Sequence, residues 1–151
     1  MAAIALLRLH HYTGDSGYRD KAEQTLETFA GVAEQFGIFV ATYGIAVVHL
    51  LENPVQVVVI DASGSTDETA SALAAVATTA FAFNKSVLRL TANQAVAGNL
   101  PPALAATIPS LPQLNSGASF AVLCSGFACQ PPLMNPTALA RALESALETQ
   151  T

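Results

Sequence analysis

Three oxygen-bearing side chains follow one of the most apolar stretches of the chain at alternate positions. Asp61, Ser63 and Ser65 come directly after a run of valine and isoleucine at residues 57–60. Carboxylate and hydroxyl oxygens are the hard ligands that Mg²⁺ and Ca²⁺ take in proteins. A loop that leads from a strand into a helix also presents free backbone amides, to which an anion can bind. The three residues are therefore weak candidates for a metal or an anion site.

The Asp61 loop resembles the start of the metal-dependent adhesion site of von Willebrand A-type domains, but the sequence lacks the remaining ligands. That site adds a threonine and then an aspartate from later loops, and no aspartate follows Asp67. The same letters fit a capping box, with Ser65 as N-cap, Glu68 reaching back to it and Asp67 favouring the helix dipole. We therefore expect a helix start here, with no bound metal and no cofactor.

Two cysteines near the end of the chain form the second candidate, a redox pair. Cys124 and Cys129 are five positions apart, so in a straight strand they would point to opposite faces. A bend at Gly126 would let the two sulfur atoms meet as a disulfide. Because no lysine or arginine lies between Asn93 and Pro136 to lower a thiol pKa, the residues favour two reduced thiols. The disulfide stays open as the alternative.

Three histidines could in principle perform acid-base catalysis. His10 and His11 are adjacent near a predicted helix end, and His49 precedes Glu52 by three residues on one helix side. The plainer interpretation is that a helix C-terminus stabilises imidazolium without any catalytic purpose. We therefore expect no catalytic residue among the three.

Composition limits the classes of partner. The 151 residues are 52% hydrophobic and 11% charged, with a mean hydropathy of +0.43 and a net charge of −5. The six basic residues are scattered singly, which argues against nucleic-acid binding. The longest apolar segment, residues 38–51, is 14 residues long, shorter than the roughly 20 that span a bilayer. We expect a cytoplasmic protein whose apolar excess faces other protein.

Hydrophobic periodicity predicts a mixed α and β fold in two parts. Residues 1–53 read as antiparallel helices, the last of them at 37–51. Residues 54–151 read as a small α/β domain with a mainly parallel sheet of three or four strands. Its predicted elements are strands at 55–60, 86–90 and 119–123 and helices at about 67–81 and 136–147. Residues 91–117 read as a long irregular connection.

Two longer segments resemble a known family. The C-terminal stretch reads FAVLCSGFACQPPLMNPTALARAL, and the N-terminal stretch reads ALLRLHHYTGDSGYRDKAEQTLETFAG. The first is similar to the C-terminal end of the thioredoxin-domain-containing, spermatogenesis-associated protein family, which has a C-x4-C segment between a strand and a short helix. The second is similar to the last helical hairpin of the same family, and VVVIDASGST falls where the family places the first strand of its terminal α/β unit.

The resemblance implies a larger parent protein. Members carry a thioredoxin-like domain, then a toroid of paired helices similar to six-hairpin glycosidases and sugar epimerases, and then this tail. The expected partners are thus the rest of a parent chain or, in its absence, a second copy held by exposed helix faces that include Ile4, Leu7, Phe39 and Tyr43. The function implied is a non-catalytic structural domain. The alternatives are a redox accessory that uses Cys124 and Cys129, or one wall of a sugar-processing site.

Overall fold

A computed structural model describes residues 1–63, 67–126 and 128–148 of the chain. The chain separates into two compact units, Met1–Glu52 and Asn53–Thr151. The first is helical and the second combines helices with one sheet, so the predicted mixed α and β class is confirmed. Among the described residues, no helix is both long and apolar enough to cross a membrane.

Three α-helices build the first unit: α1 (Ala2–Thr13), α2 (Ser16–Ala30) and α3 (Ala41–Leu51). Helix α1 ends at Gly14, whose φ of 71° is the left-handed geometry that glycine adopts most easily, and the Gly14 amide donates to the carbonyl of His10. The Asp15 carboxylate then caps α2 by accepting from the amide of Gly17. The helices share a small core of five residues: Ala3, Leu7, Ala22, Leu26 and Ala46.

The predicted third helix at 37–51 is too long at its N-terminal end. Residues Ala33–Val40 form 3₁₀ structure in two pieces separated by a kink at Gly37, whose φ of 52° and ψ of −126° no helix allows. Helix α3 therefore begins at Ala41 rather than at residue 37. Glycine tolerates this conformation because it lacks a β-carbon.

The second unit is a four-stranded sheet with the order β2-β1-β3-β4. The strands are β1 (Val55–Asp61), β2 (Lys85–Thr91), β3 (Phe120–Ser125) and β4 (Ala128–Cys129). Its helices are α4 (Glu68–Thr79), α5 (Pro102–Ala105) and α6 (Pro136–Glu148), and 3₁₀ turns occur at Ala92–Gln94, Ala97–Asn99, Ile108–Ser110 and Pro112–Asn115.

Strand β1 lies at the centre of the sheet and is buried at all seven positions. Val55, Val57 and Val59 pack beneath α4 and α6. Val58 and Ile60 point the other way, into a second core formed under the irregular segment 92–116. Both faces are covered, which explains why the strand is a continuous β-branched run rather than an alternating one.

The sheet is mixed, and the prediction of a mainly parallel sheet is wrong. Strands β1 and β2 are parallel, as the β-α-β pattern predicts, but β3 runs antiparallel to β1, and β4 antiparallel to β3. The connection 92–119 leaves β2 at Thr91 and re-enters at Phe120, which lies opposite Ile60 at the same edge of the sheet. Because the chain leaves β2 and enters β3 at the same end of the sheet, β3 must run in the direction opposite to β2 and β1.

Candidate functional site

The two cysteines are joined by a disulfide at the end of the sheet. Strands β3 and β4 form a tight hairpin in which Gly126 has a φ of 58°, and Cys124 lies directly opposite Cys129, with their Cα atoms 4.0 Å apart. The expectation of two reduced thiols is therefore wrong. The reversal of the chain at the hairpin places the side chains on one face, whereas a straight strand would separate them.

The disulfide has one buried and one partly exposed sulfur residue. Cys124 is 2% exposed and belongs to the core under residues 92–116, together with Phe120 and Val122. Cys129 is half-buried and is flanked by the exposed residues Ala128 and Gln130. A reagent in solvent therefore meets the Cys129 side of the bond first.

Backbone contacts fix the hairpin independently of the disulfide. The Gln130 amide donates to the carbonyl of Leu123 at 2.8 Å, and the Gly126 amide donates to the carbonyl of Pro54 at 3.2 Å. Further along, Ala121 and Leu133 exchange two backbone hydrogen bonds of 2.8 Å. Residues 128–133 are thus attached along the outer edge of β3 at several points.

Two polar side chains share the sheet face of Cys124. Gln56 on β1 is opposite Cys124, and Ser86 on β2 is the next residue in the same row. Gln56 is 5% exposed, and the buried Ser86 hydroxyl makes no hydrogen bond within the part of the chain that the structure describes. Polar atoms therefore adjoin the buried sulfur on a face that is otherwise apolar.

The Asp61 carboxylate lies at the far end of the same strands and is paired with a cation. Arg89 Nη2 is 2.7 Å from Asp61 Oδ2, and the amide of Ser63 donates to Asp61 Oδ1 at 3.3 Å. Asp61 is 3% exposed, whereas the Arg89 side chain is 37% exposed. A guanidinium already neutralises the carboxylate, so this arrangement disfavours a metal ion at Asp61. Ser65, the third candidate, lies outside the described residues.

Helix α4 is capped by Asp67, which corrects the expected capping box with Ser65 as N-cap. The Asp67 carboxylate accepts from the amides of Thr69 and Ala70, and α4 begins at Glu68. The Ser119 hydroxyl donates to Asp67 Oδ2 and accepts from the amide of Ala62 at 2.8 Å. The Ser119 hydrogen bond, followed by those from the two helix amides, lowers the pKa of Asp67.

A polar cavity of about 280 Å³ opens beside this network. It is lined by Asp61, Arg89, Leu90, Thr91 and Gln94. Clefts at the carboxyl ends of parallel strands are where α/β sheets commonly bind ligands. In this chain, however, the lining charges already pair with each other, and no group of three histidine, cysteine or acidic side chains suited to a metal occurs within residues 1–63, 67–126 and 128–148.

Sequence reasoning missed Arg89 and Ser119. The first pairs with the Asp61 carboxylate, and the second donates to the Asp67 carboxylate. Arg89 is the one charged residue in the predicted strand 86–90, and a lone charge within an otherwise largely apolar strand suggests a charged partner nearby. Ser119 has no such signal, because its role depends on β3 lying next to β1. Only the strand order brings it to Asp67.

The histidines lie in the first unit, and His11 is held neutral. Burial, and then the like charges of the neighbouring His10, His49 and Arg19, together lower its pKa from the ordinary 6.5 to about 4. The expectation of a helix end that stabilises imidazolium is therefore wrong for His11, because desolvation outweighs the helix dipole. His10 instead makes a 2.9 Å hydrogen bond through Nδ1 to the carbonyl of Asp15.

An apolar groove of about 320 Å³ runs along the first unit. Its larger lining residues are Leu26, Phe29, Val32, Phe36, Val40 and Tyr43. Phe29 and Phe36 are 53% and 57% exposed. Of the residues expected to face a partner, Leu7 is 1% exposed and packs in the helices' own core, Ile4 and Tyr43 are partly buried, and the Phe39 side chain lies outside the described part. The apolar surface therefore lies mainly on α2 and the 3₁₀ helix.

Comparisons with protein-family models, with curated proteins and with solved structures found no match to this chain. The likeness to the spermatogenesis-associated family therefore stays a prediction from sequence.

Proposed function

We propose that this chain is a non-catalytic structural domain from the C-terminal part of a larger thioredoxin-domain protein, with residues 1–52 as a piece of its helical toroid. The observation that carries the proposal is the apolar groove of the first unit. Exposed Phe29 and Phe36 line it, and a helical unit stable in isolation would cover such side chains. A neighbouring helix pair of a toroid is the kind of partner that would fill it.

The second unit supports the same proposal for a different reason. Its sheet has a core on each face, and its central strand is fully buried. At the Asp61 end of the strands, Asp61 is paired with Arg89, and the Asp67 carboxylate caps helix α4. A self-contained fold of this kind suits the C-terminal structural domain that we propose.

The reading frame upstream of the Met1 codon tests the proposal. We expect it to encode helical hairpins preceded by a thioredoxin-like domain. An upstream segment of that kind, produced separately, should then bind this chain, and Phe29→Ser with Phe36→Ser should abolish the binding. The control is Phe81→Ser, because Phe81 is 76% exposed but belongs to the second unit. An upstream frame with a stop codon, or binding unaffected by the Phe29 and Phe36 changes, would contradict the proposal.

A redox accessory is the second candidate, and the Cys124–Cys129 disulfide favours it. In the cytoplasm, where the sequence leads us to expect the protein, disulfides are rare and are usually catalytic or redox-sensing. A bond with one half-buried sulfur residue at a sheet edge is open to exchange with a dithiol protein.

Thiol titration of the native protein tests the redox candidate. With thioredoxin, its reductase and NADPH, we expect two titratable thiols to appear while the protein stays folded. Addition of the reductase and NADPH without thioredoxin is the control and should release none. A disulfide that resists thioredoxin in the native protein but is reduced after unfolding in urea would leave Cys124 and Cys129 with a structural role alone.

The third alternative, a wall of a sugar-processing site, would depend on catalytic groups from the rest of the parent. Within the described parts of the chain, no contact favours it over the other two. It therefore stays a prediction of the family resemblance.

A further inference from the structure

We propose that the disulfide has a fixed direction of reaction: a dithiol protein attacks the sulfur of Cys129, and Cys124 is the leaving thiol. The inference rests on the redox candidate above and adds which sulfur reacts. It assigns Cys129 as the residue through which this chain becomes covalently linked to its partner. The partner is defined by its chemistry, as a protein that carries two neighbouring thiols.

Access to the two sulfur atoms gives the direction. An attacking thiolate approaches in line with the S–S bond, from the side opposite the leaving sulfur. At Cys124 that approach is closed, because the residue is 2% exposed and lies in the core with Phe120 and Val122. At Cys129 it is less hindered, because the residue lies at the margin of the same core, is partly exposed, and has an exposed chain neighbour on each side.

The relative ease with which the two thiols leave favours attack on Cys124, the opposite of the direction we propose, but access to the sulfur atoms outweighs it. Burial in apolar surroundings raises the pKa of a thiol, and a thiol of higher pKa leaves more slowly. Buried Cys124 is therefore the poorer leaving group. Attack on Cys124, however, requires the core under residues 92–116 to open first, whereas Cys129 packs only at the margin of that core and is partly exposed. The better leaving group is thus on the pathway that the fold blocks.

The exchange can be written in two balanced steps. In the first, a partner thiolate forms a bond to Cys129 Sγ, the Cys124–Cys129 bond breaks, and Cys124 leaves as a thiolate that takes up a proton. In the second, the other partner thiol loses its proton and attacks the partner's own sulfur in the mixed disulfide, which releases Cys129 as a thiolate. The partner is oxidised to a disulfide, and this chain is reduced to two thiols.

The hairpin is built to survive the first step. The bond from the Gln130 amide to the Leu123 carbonyl and the pair between Ala121 and Leu133 hold residues 128–133 on β3 without the disulfide. Cys129 would then remain opposite Cys124 in the mixed disulfide. This position lets Cys124 attack back, so the linked state is short-lived unless the second partner thiol resolves it.

A trapping experiment on the wild-type chain tests the direction. A thioredoxin whose second, resolving cysteine is replaced by serine stops the reaction at the mixed disulfide, and free thiols are then blocked by alkylation at low pH. Digestion and mass spectrometry identify the linked cysteine. We expect the Cys129 adduct to exceed the Cys124 adduct by at least about tenfold, because thiol–disulfide exchange follows access to the attacked sulfur.

Single-cysteine variants supply a second measurement. In Cys124→Ala the remaining Cys129 thiol should react with a water-soluble disulfide reagent about tenfold or more faster than the Cys124 thiol in Cys129→Ala, since reactivity follows exposure. In urea the two rates should converge. Converging rates in the folded state as well would overturn the inference.

The outcomes separate the inference from the function on which it rests. Adducts mainly on Cys124, or equally on both cysteines, would overturn the direction and leave the redox candidate standing. No adduct at all, with a trap that still reacts with insulin, would overturn the redox candidate and the inference with it.

Discussion

At the scale of single residues, Arg89 decides what the Asp61 loop can do. Asp61 after an apolar strand has the chemistry of a metal ligand, and the sequence alone leaves that alternative to be weighed against a helix start. The 2.7 Å contact from the Arg89 guanidinium supplies the missing positive charge from within the chain. The same carboxylate thus serves folding, because a buried charge needs a partner.

Removing Arg89 should cost more than removing an ordinary surface cation. We expect Arg89→Met to lower the free energy of unfolding by about 2 kcal/mol, because it removes the positive charge beside the buried Asp61 carboxylate, although solvent at the exposed arginine moderates the effect. Urea unfolding measures this, with exposed Arg141→Met as the control. In Asp61→Asn with Arg89→Met, part of the loss should return. Equal effects of the Arg89 and Arg141 changes would contradict the role given to this ion pair.

Mg²⁺ or Mn²⁺ should leave the melting temperature of the wild-type protein unchanged. A ligand stabilises a fold in proportion to its binding, and Asp61 is already paired with Arg89. In Arg89→Met the carboxylate loses this competitor, so the variant is the informative comparison in a thermal melt. A dose-dependent rise for the wild type would revive the metal-site hypothesis.

His11 should make the first unit sensitive to mild acid. Its pKa is 6.5 ordinarily and about 4 in the fold, so the unfolded chain binds more protons between these values. Stability is therefore full above pH 6.5 and falls as the pH drops toward 4. We expect a loss of about 1–2 kcal/mol, after allowance for solvent screening of a half-buried ring. His11→Gln should flatten the pH dependence of urea unfolding, exposed Arg8→Gln should not, and an unchanged slope in the His11 variant would contradict the assignment.

At the scale of elements, the sequence predicts helices and strands that depend on nearby residues. It does not predict strand pairing that depends on where a distant segment rejoins the sheet. The β-α-β pattern predicts β1, α4 and β2, because each element has its own hydrophobic period. It also predicts that β1 and β2 are parallel, because one helix connects them. The direction of β3 is not readable in this way. It depends on the edge at which residues 92–119 rejoin the sheet.

The same limit applies to Cys124 and Cys129. Spacing alone places their side chains on opposite faces, and the hairpin that joins them depends on β4, a strand of two residues. Gly126 indicated that a bend was possible but not that it forms. At Gly37 the error was of the opposite kind. The hydrophobic pattern predicts a continuous helix from residue 37, but the chain is not helical at Gly37. The cap of α4 is similar, because the Asp67 carboxylate that caps it accepts from Ser119, the residue just before β3 and far from Asp67 in the chain.

The disulfide should stabilise the second unit modestly because it closes a very short loop. The loop-entropy relation gives about 2 kcal/mol for a bridge across so few residues. We therefore expect Cys124→Ala with Cys129→Ala to lower the free energy of unfolding by about this amount without loss of the fold, since backbone bonds also hold the hairpin. Urea unfolding in the absence of reductant measures it. The control is the wild type in excess reductant, which should approach the double variant; an unfolded double variant would contradict the argument.

At the scale of the whole molecule, the two units differ in the size of their cores. The second has a core on each face of its sheet, although Phe81 and Phe83 are exposed, whereas the first has five small or medium-sized residues in its core and an apolar groove lined by the exposed Phe29 and Phe36. The boundary between the two units lies between Glu52 and Asn53. We expect their stabilities to differ accordingly.

Separate production of the units checks this expectation. Residues 53–151 should fold alone and unfold cooperatively in urea, because both faces of the sheet stay covered. Residues 1–52 should show partial helicity and a broad transition. Circular dichroism measures both. A cooperative, monomeric helical unit would weaken the proposal that its groove needs a partner.

The return of residues 92–119 to the edge they left has a consequence for how this protein tolerates change in length. The α4 crossover must carry the chain back along the full strand, so its length is set by β1. Residues 92–119 begin and end at the same end of the sheet, so an insertion among them need not cross the sheet. Doubling the length of a flexible loop costs only about 0.6 kcal/mol. Gly98 lies in this segment with open space around its Cα. A peptide grafted there would be displayed in solvent while the hydrogen-bond register of all four strands stays the same.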